Sequence, residues 1–298
     1  MLFTFTALLF FQISTYHYET LDWDINAFLV TSLEFGRGNL PFEYQYENKP
    51  PLLFAIFYLF SIITNKSLVY INLLNDLIIC LILGQTIFLF NTEKKEIKVN
   101  NFLPGLIFIL LISNVWFHPS YSEYLSLFFI VSALLIYKKL NSIYKYFLIG
   151  SLLALSSLIN IGTSIFLVCF LIIYFIQEKK IIHKIFSTLL GFGFIHTISI
   201  SVYFFNGALE EYVMAMLFIP LSYVGTEFSF SNSITVFLTS FISYSLYIYS
   251  LLLVSISIAL FKVSIIIKNQ NIKFKNIVIL FFIIFSFLFY SLAGKGYY

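Results

Sequence analysis

The sequence predicts an all-α, polytopic transmembrane protein of about nine spans, and three observations support that fold class. Hydrophobic residues make up 60% of the 298-residue chain, and mean hydropathy is +0.94. Soluble domains run at about 45–50% apolar, and a soluble core of this composition would leave too much apolar surface facing water. Long apolar runs recur along the chain between short polar connections. Finally, 13 of the 16 lysines fall into four short clusters: Lys94, Lys95 and Lys98; Lys138, Lys139 and Lys145; Lys179, Lys180 and Lys184; Lys262, Lys268, Lys273 and Lys275. Only Glu93, Glu96 and Glu178 accompany them. By the positive-inside rule these connections are cytoplasmic. The other polar segments hold Glu19, Asp22, Asp24, Glu34, Glu43, Glu47, Glu123, Glu210, Glu211 and Glu227, so the opposite face is acidic.

A spanning helix needs about 20 residues. Apolar runs at 2–16, 68–90, 102–117, 123–137, 146–159, 161–176, 185–205, 234–261 and 277–293 supply the nine crossings. The first has no basic leader and no small-residue cleavage site, so it reads as a retained span. Residues 24–35 carry Ile25, Phe28, Leu29 and Leu33 at helical spacing, which predicts a helix lying along the interface. Gly36, Gly38 and Pro41 end it. Leu52 to Ile63 is too short to span and is placed as an interfacial or re-entrant helix on the outer side. The outer segment 206–233 opens with NGALEEYVMAMLFIPLSY, a further juxtamembrane helix in which Glu210 and Glu211 form a solvated face. Cys80 and Cys169 sit in apolar runs as small packed residues, with no disulfide or metal framework. The whole chain reads as one membrane module, with residues 17–67 as its first outer, catalytic loop.

Charge makes that loop the chemical centre. Only 10% of residues are charged, yet Glu19, Asp22, Asp24, Glu34, Arg37, Glu43, Glu47 and Lys49 all lie between Tyr18 and Leu52. Asp22 and Asp24 flank Trp23 just after the first span. A carboxylate pair there deprotonates an acceptor, holds a divalent cation, or forms a solvated turn before the interfacial helix. Lys49 is one of four basic residues outside the lysine clusters. A cation beside a phosphodiester stabilises the leaving phosphate as charge develops; the plainer reading is an interfacial lysine with an extended, half-buried stem. Glu47 positions Lys49 or ligates a cation. His118 and Glu123 share the outer level as a metal or acceptor site, although four histidines without close spacing point to no zinc. Asp76, with Asn72 and Asn75, lies in the outer part of a span, where acids are costly and usually functional; it reads as a buttress to the site. His196, within another span, reads as a packed, hydrogen-bonded histidine. No Gly-rich phosphate-cradling loop is present, which argues against a soluble nucleotide-sugar donor, and no nucleic-acid partner is expected.

The order WDxxxF (residues 23–28), amphipathic helix, Gly38-x-x-Pro41 and ENKPPL (residues 47–52) resembles the first outer loop of membrane-embedded GT-C glycosyltransferases, especially the ArnT-like and protein-mannosyltransferase-like branch. FHPSYSEYLSL (residues 117–127) is similar to that family's second outer loop, with Glu123 in the place of its acidic residue. YFLIGSLLALSSLIN (residues 146–160) resembles a Gly-containing run that often ends in lysine, where Asn160 stands here. LAGKGYY (residues 292–298) is similar to the start of a later outer motif, so the chain resembles a family member lacking its last helices.

The resemblance implies transfer of a sugar from a polyprenyl-phosphate donor on the periplasmic or extracellular face of the bacterial inner membrane, to a lipid, glycan or protein acceptor. It implies Asp24 as the catalytic carboxylate; beside it we place Asp22 and Glu123 as supports, Lys49 as the ligand of the donor phosphate, and Lys295, in its Gly-Lys-Gly context, as a second phosphate candidate. Glu47, His118 and Asp76 take supporting places. Ile25 stands where the family has a second acid, which leaves the use of a divalent cation open. Two rivals belong to other classes. A flippase or transporter of lipid-linked saccharides places charge at the bilayer midplane on repeated halves; here the acids gather at one surface. A polymerase of such saccharides would carry arginine-rich loops later in the chain, and Arg37 is the sole arginine.

Overall fold

The computed structural model describes residues 23–43, 49–90, 122–177 and 181–218, all within a compact unit spanning Met1–Ile219. Among them every regular element is helical and none is a strand. The helices are α1 (Trp23–Gly36), α2 (Pro51–Ile63), α3 (Leu68–Phe90), α4 (Ser122–Lys139), α5 (Lys145–Ser157), α6 (Ile165–Gln177), α7 (Ile181–Phe205) and α8 (Leu209–Val213). A 3-10 turn, Ile161–Ser164, leads into α6, and a π-helical turn, Met214–Phe218, follows α8. The runs expected at 2–16, 102–117, 234–261 and 277–293 lie outside the described residues.

Two described helices, α3 and α7, are long and apolar enough to cross a membrane. Each of the two shows how the sequence sets its surroundings. Helix α7 has only 11% of its apolar window buried and presents Phe186, Leu190, Phe194 and Ile198 outward. An apolar exterior of that kind suits hydrocarbon rather than water. Helix α3 is more enclosed, with Ile71, Ile79, Ile82 and Leu83 buried beside Asn75 and Asp76.

Helix α2 is the short element the sequence indicates. Its 13 residues rise about 20 Å, well under the apolar thickness of a bilayer. Pro50 is extended and Pro51 occupies the first helical position, where its missing N–H costs nothing. The next orphan donor, Leu52 N–H, bonds the Leu158 carbonyl at 3.0 Å, so the start of α2 is tied to the end of α5. Asn65 and Lys66, both at positive φ, then turn the chain sharply into α3.

Helices α1 and α2 pack against each other through Phe28, which meets Phe54 and Phe57 edge-on at 6.4 and 5.8 Å. Ile25, Leu29, Leu53, Ile71, Leu125 and Ile159 complete this core. Ile71 lies near the start of α3, Leu125 near the start of α4, and Ile159 just past the end of α5. The α1–α2 pair is therefore seated on one end of the helices behind it.

The other end is basic. Lys138 Nζ donates to the Leu89 carbonyl at 2.7 Å, and Gln85 Nε2 donates to Ser132 Oγ at 2.8 Å, so α3 and α4 run side by side in the same direction. Helix α5 returns antiparallel to α4, and α7 lies parallel to α5 in the most extensive helix contact of the unit. Glycine makes that contact possible. A Cβ on Gly150 would stand 1.9 Å from the Thr188 carbonyl oxygen, and one on Gly191 would stand 2.0 Å from that of Phe147. Backbone thus meets backbone, as small residues allow between membrane helices.

Candidate functional site

Three separate segments, distant in sequence, meet at the end of the bundle that carries α1 and α2. Lys49 precedes the prolines that start α2, Glu123 is in the first turn of α4, and Asn160 follows α5. Lys49 Nζ stands 4.0 Å from Glu123 Oε1. That is beyond hydrogen-bond range, so the ammonium is held near the carboxylate without being committed to it. The side chains are 24% and 47% exposed, which leaves both within reach of a ligand.

Glu123 is oriented from below. Asn160 Nδ2 donates to Glu123 Oε1 at 3.0 Å, while the Ser122 hydroxyl donates to Oε2 at 3.2 Å. The Asn160 amide has a single workable orientation. Its Oδ1 accepts from the Gly162 N–H at 3.1 Å, so its nitrogen is the end that faces the carboxylate. The same residue caps the 3-10 turn, and Thr163 Oγ1 donates to its carbonyl at 2.7 Å. Ser156 Oγ lies 2.8 Å from Thr163 Oγ1 and 3.1 Å from the Ser126 carbonyl, which links the turn back to α4. Helix α5 stops where this network needs it to. Leu158, Ile159 and Asn160 leave the helix, and the polar residues between two apolar runs find one another.

A second, aromatic group lies beside it. Phe42 stacks on Tyr203 at 6.0 Å, and Tyr203 packs on Tyr212 at 4.7 Å, with Leu40, Leu52 and Leu158 in the same cluster. Burial raises the Tyr212 phenol above its usual range, which keeps it neutral. This cluster fixes the chain just after α1. Glu34 closes that turn by pairing with Arg37 and accepting from Asn39 Nδ2 at 2.7 Å, and Gly38 at φ 96° supplies the left-handed residue.

Of the residues singled out from sequence, Lys49 and Glu123 are brought together, and Asp24 lies in the first turn of α1. Asp76 is fully buried on α3, together with Asn72 and Asn75. Asp22, Glu47, His118 and Lys295 lie outside the described residues, as does the Asp24 side chain. Among the described residues no three His, Cys, Asp or Glu side chains gather in a metal-binding group. The described part of the site offers one carboxylate beside an ammonium.

His196 bonds Ser157 Oγ at 2.9 Å and packs on Phe192, the structural place the sequence indicates for it. Cys80 and Cys169 are free thiols, the first buried. Sequence reasoning missed the positioning part of Asn160 and the Tyr203–Tyr212 pair. The signal for the first was present in SSLINIGTS (residues 156–164), a polar break between two apolar runs.

No model of a known protein family matches this chain, and no curated protein or solved structure matches it either.

Proposed function

We propose that this chain is a multi-pass membrane glycosyltransferase that takes its sugar from a polyprenyl-phosphate donor on the non-cytoplasmic face. One observation carries the reading: Lys49 and Glu123, drawn from two outer segments of sequence, meet at 4.0 Å at the end of the bundle that also carries the start of α1. The described members of the lysine clusters, Lys138, Lys139, Lys145 and Lys184, lie toward the opposite end, and the positive-inside rule then reads this end as outside. The nine-span arrangement read from the sequence belongs to the same proposal.

In the proposed reaction Lys49 faces the phosphate of the donor and stabilises negative charge as the sugar–phosphate bond breaks. Asp24 accepts the proton of the acceptor hydroxyl as its oxygen bonds the anomeric carbon, and the polyprenyl phosphate leaves with the bonding electron pair. Glu123, clamped by Asn160 and Ser122, holds Lys49 in place and keeps its charge from wandering. A lipid carrier suits this geometry because its tail remains among the helices while its head reaches the polar end.

The reading is tested with membranes carrying the protein, supplied with polyprenyl-phosphate sugar. Asp24→Ala is expected to lower transfer by about 100-fold or more, within the range for loss of a general base. Lys49→Gln is expected to lower it roughly 10- to 100-fold. Transfer by Asp24→Ala at the parent rate would remove the catalytic assignment.

A further inference from the structure

The cluster beside the Lys49–Glu123 pair holds two phenols that the proposed chemistry does not yet use. Tyr203 is 2% exposed and Tyr212 4%, yet neither hydroxyl has a hydrogen-bond partner among the described residues. Their rings pack at 4.7 Å, so the two phenols lie side by side. Ser199, one turn before Tyr203 on α7, approaches the Tyr212 phenol without closing a hydrogen bond that would satisfy it. A buried tyrosine hydroxyl normally finds a partner, and leaving one without is costly. Two such groups on neighbouring rings point to a partner from outside the chain.

Their surroundings tie them to the candidate site. Leu52 and Leu158 belong to the same cluster and are joined backbone to backbone at 3.0 Å. Lys49 lies three residues before Leu52, and Asn160 two after Leu158, so the tyrosines adjoin the lysine and the amide that define the site. Phe42 is a second, independent sign. Its ring stacks on Tyr203 at 6.0 Å while its backbone holds φ 79°, a left-handed conformation that bulky side chains rarely adopt. Strain of that kind gathers at ligand sites, where surrounding contacts over-determine it. Helix α7 is also polar along this side. His196, Ser199 and Tyr203 follow at i, i+3 and i+7, which places them on one face, and His196 bonds Ser157 below the tyrosines. Polar groups within a span are expensive and usually functional.

The chemistry of the two groups narrows the ligand. A phenol both donates and accepts a hydrogen bond, and so does a sugar hydroxyl. A phosphate only accepts and is better served by a cation, which Lys49 supplies nearby. We infer that the Tyr203 and Tyr212 hydroxyls bind hydroxyl groups of the donor's sugar, with Phe42 holding Tyr203 in position. The inference rests on the donor reading given above and names the residues that select the sugar.

The experiment uses the full chain in nanodiscs and compares Tyr203→Phe and Tyr212→Phe with the parent and with Tyr144→Phe, an exposed control. Without ligand, Tyr203→Phe and Tyr212→Phe should melt at or slightly above the parent temperature, because each deletes a buried hydroxyl that nothing bonds. The probes are undecaprenyl phosphate and the same carrier bearing glucose, mannose, galactose or arabinose. At least one sugar-bearing carrier should bind the parent about 10-fold or more tighter than the bare carrier. Tyr203→Phe and Tyr212→Phe should each lose roughly 5- to 10-fold of that gain and keep the affinity for the bare carrier. Tyr144→Phe should match the parent throughout. A lower ligand-free melting temperature in either site variant would reveal a structural partner for its hydroxyl and overturn the inference. Full sugar preference in the double variant Y203F/Y212F would do the same. Free methyl glycosides that bind the parent but not the double variant, with sugar-bearing and bare carriers bound alike, would show that the tyrosines read an acceptor and overturn the donor assignment. Failure of the parent to bind any carrier would overturn the donor reading itself and this inference with it, an outcome distinct from the others.

Discussion

At the residue scale the informative position is Asn160. Its amide is pinned by the Gly162 N–H on one side and gives its N–H to Glu123 on the other. Asn160→Ala removes both bonds, one of them to a charged carboxylate, at an expected cost of about 1–3 kcal/mol. Asn160→Asp is nearly isosteric but sets a second carboxylate 3.0 Å from the first, and two such groups resist ionising together. The folded state of that variant therefore holds a proton more tightly than the unfolded chain. Its stability relative to the parent is present at low pH and lost as pH rises through the raised folded value. Thermal melting in detergent at pH 5 and pH 8 should show the Asn160→Asp deficit growing toward pH 8, with the Asn160→Ala deficit flat across that range. An equal deficit for Asn160→Asp at both pH values would show that the amide does not face a carboxylate. Lys49 and Glu123 were legible in sequence because charge is rare here and its placement conspicuous. Asn160 was not, because an asparagine between apolar runs reads first as a turn, and only the fold shows which carboxylate its nitrogen meets.

At the element scale, hydrophobic length predicted most of what is seen. The run at 68–90 is α3 to the residue, and the segment ending at Ile63 is the 13-residue α2. The outer helix expected at 24–35 is α1. What apolar length cannot carry is which faces pair. Apart from α1, whose stripe of Ile25, Phe28 and Leu29 is the buried one, these helices are hydrophobic nearly all round, so periodicity does not single out a buried face. The α5–α7 contact is decided instead by two glycines. Gly150→Leu or Gly191→Leu should force the helices apart and cost about 1–3 kcal/mol or more, read as a fall in melting temperature in detergent. Gly193→Leu is the control, since nothing lies within 4 Å of a Cβ there. Helix propensity favours leucine over glycine at both positions, so matching losses at Gly191 and Gly193 would mean that close approach of the two backbones does not set the effect. Phe54→Ala, at the centre of the α1–α2 core, should cost about 3–5 kcal/mol. That loss should also loosen the segment bearing Asp24, measurable as faster hydrogen exchange through α1.

At the scale of the whole molecule, sidedness is the property most open to sequence reasoning. Lysines gather at one end of α4, α5 and α7, and the described polar network gathers at the other. Cysteine labelling tests this directly. In a variant lacking Cys80 and Cys169, Asn39→Cys should react with a membrane-impermeant maleimide on intact cells, while Asn141→Cys should react only after permeabilisation. The reverse pattern would put the Lys49–Glu123 pair in the cytosol and end the proposed chemistry. Helices α3 and α4, neighbours in sequence among the described helices, lie parallel. The apolar run expected at 102–117 lies outside the described residues.

The bond from Lys138 to the Leu89 carbonyl gives one apparent compartment marker a second job. Its ammonium sits on the negative pole of α3, where a cation is favoured, and clasps the tail of that rod to its neighbour. Swapping Lys138 for methionine should therefore fray the last turn of α3, seen as local protease nicking near Phe90, without inverting the protein in the bilayer. Lys139→Met, one position along, should leave that turn intact.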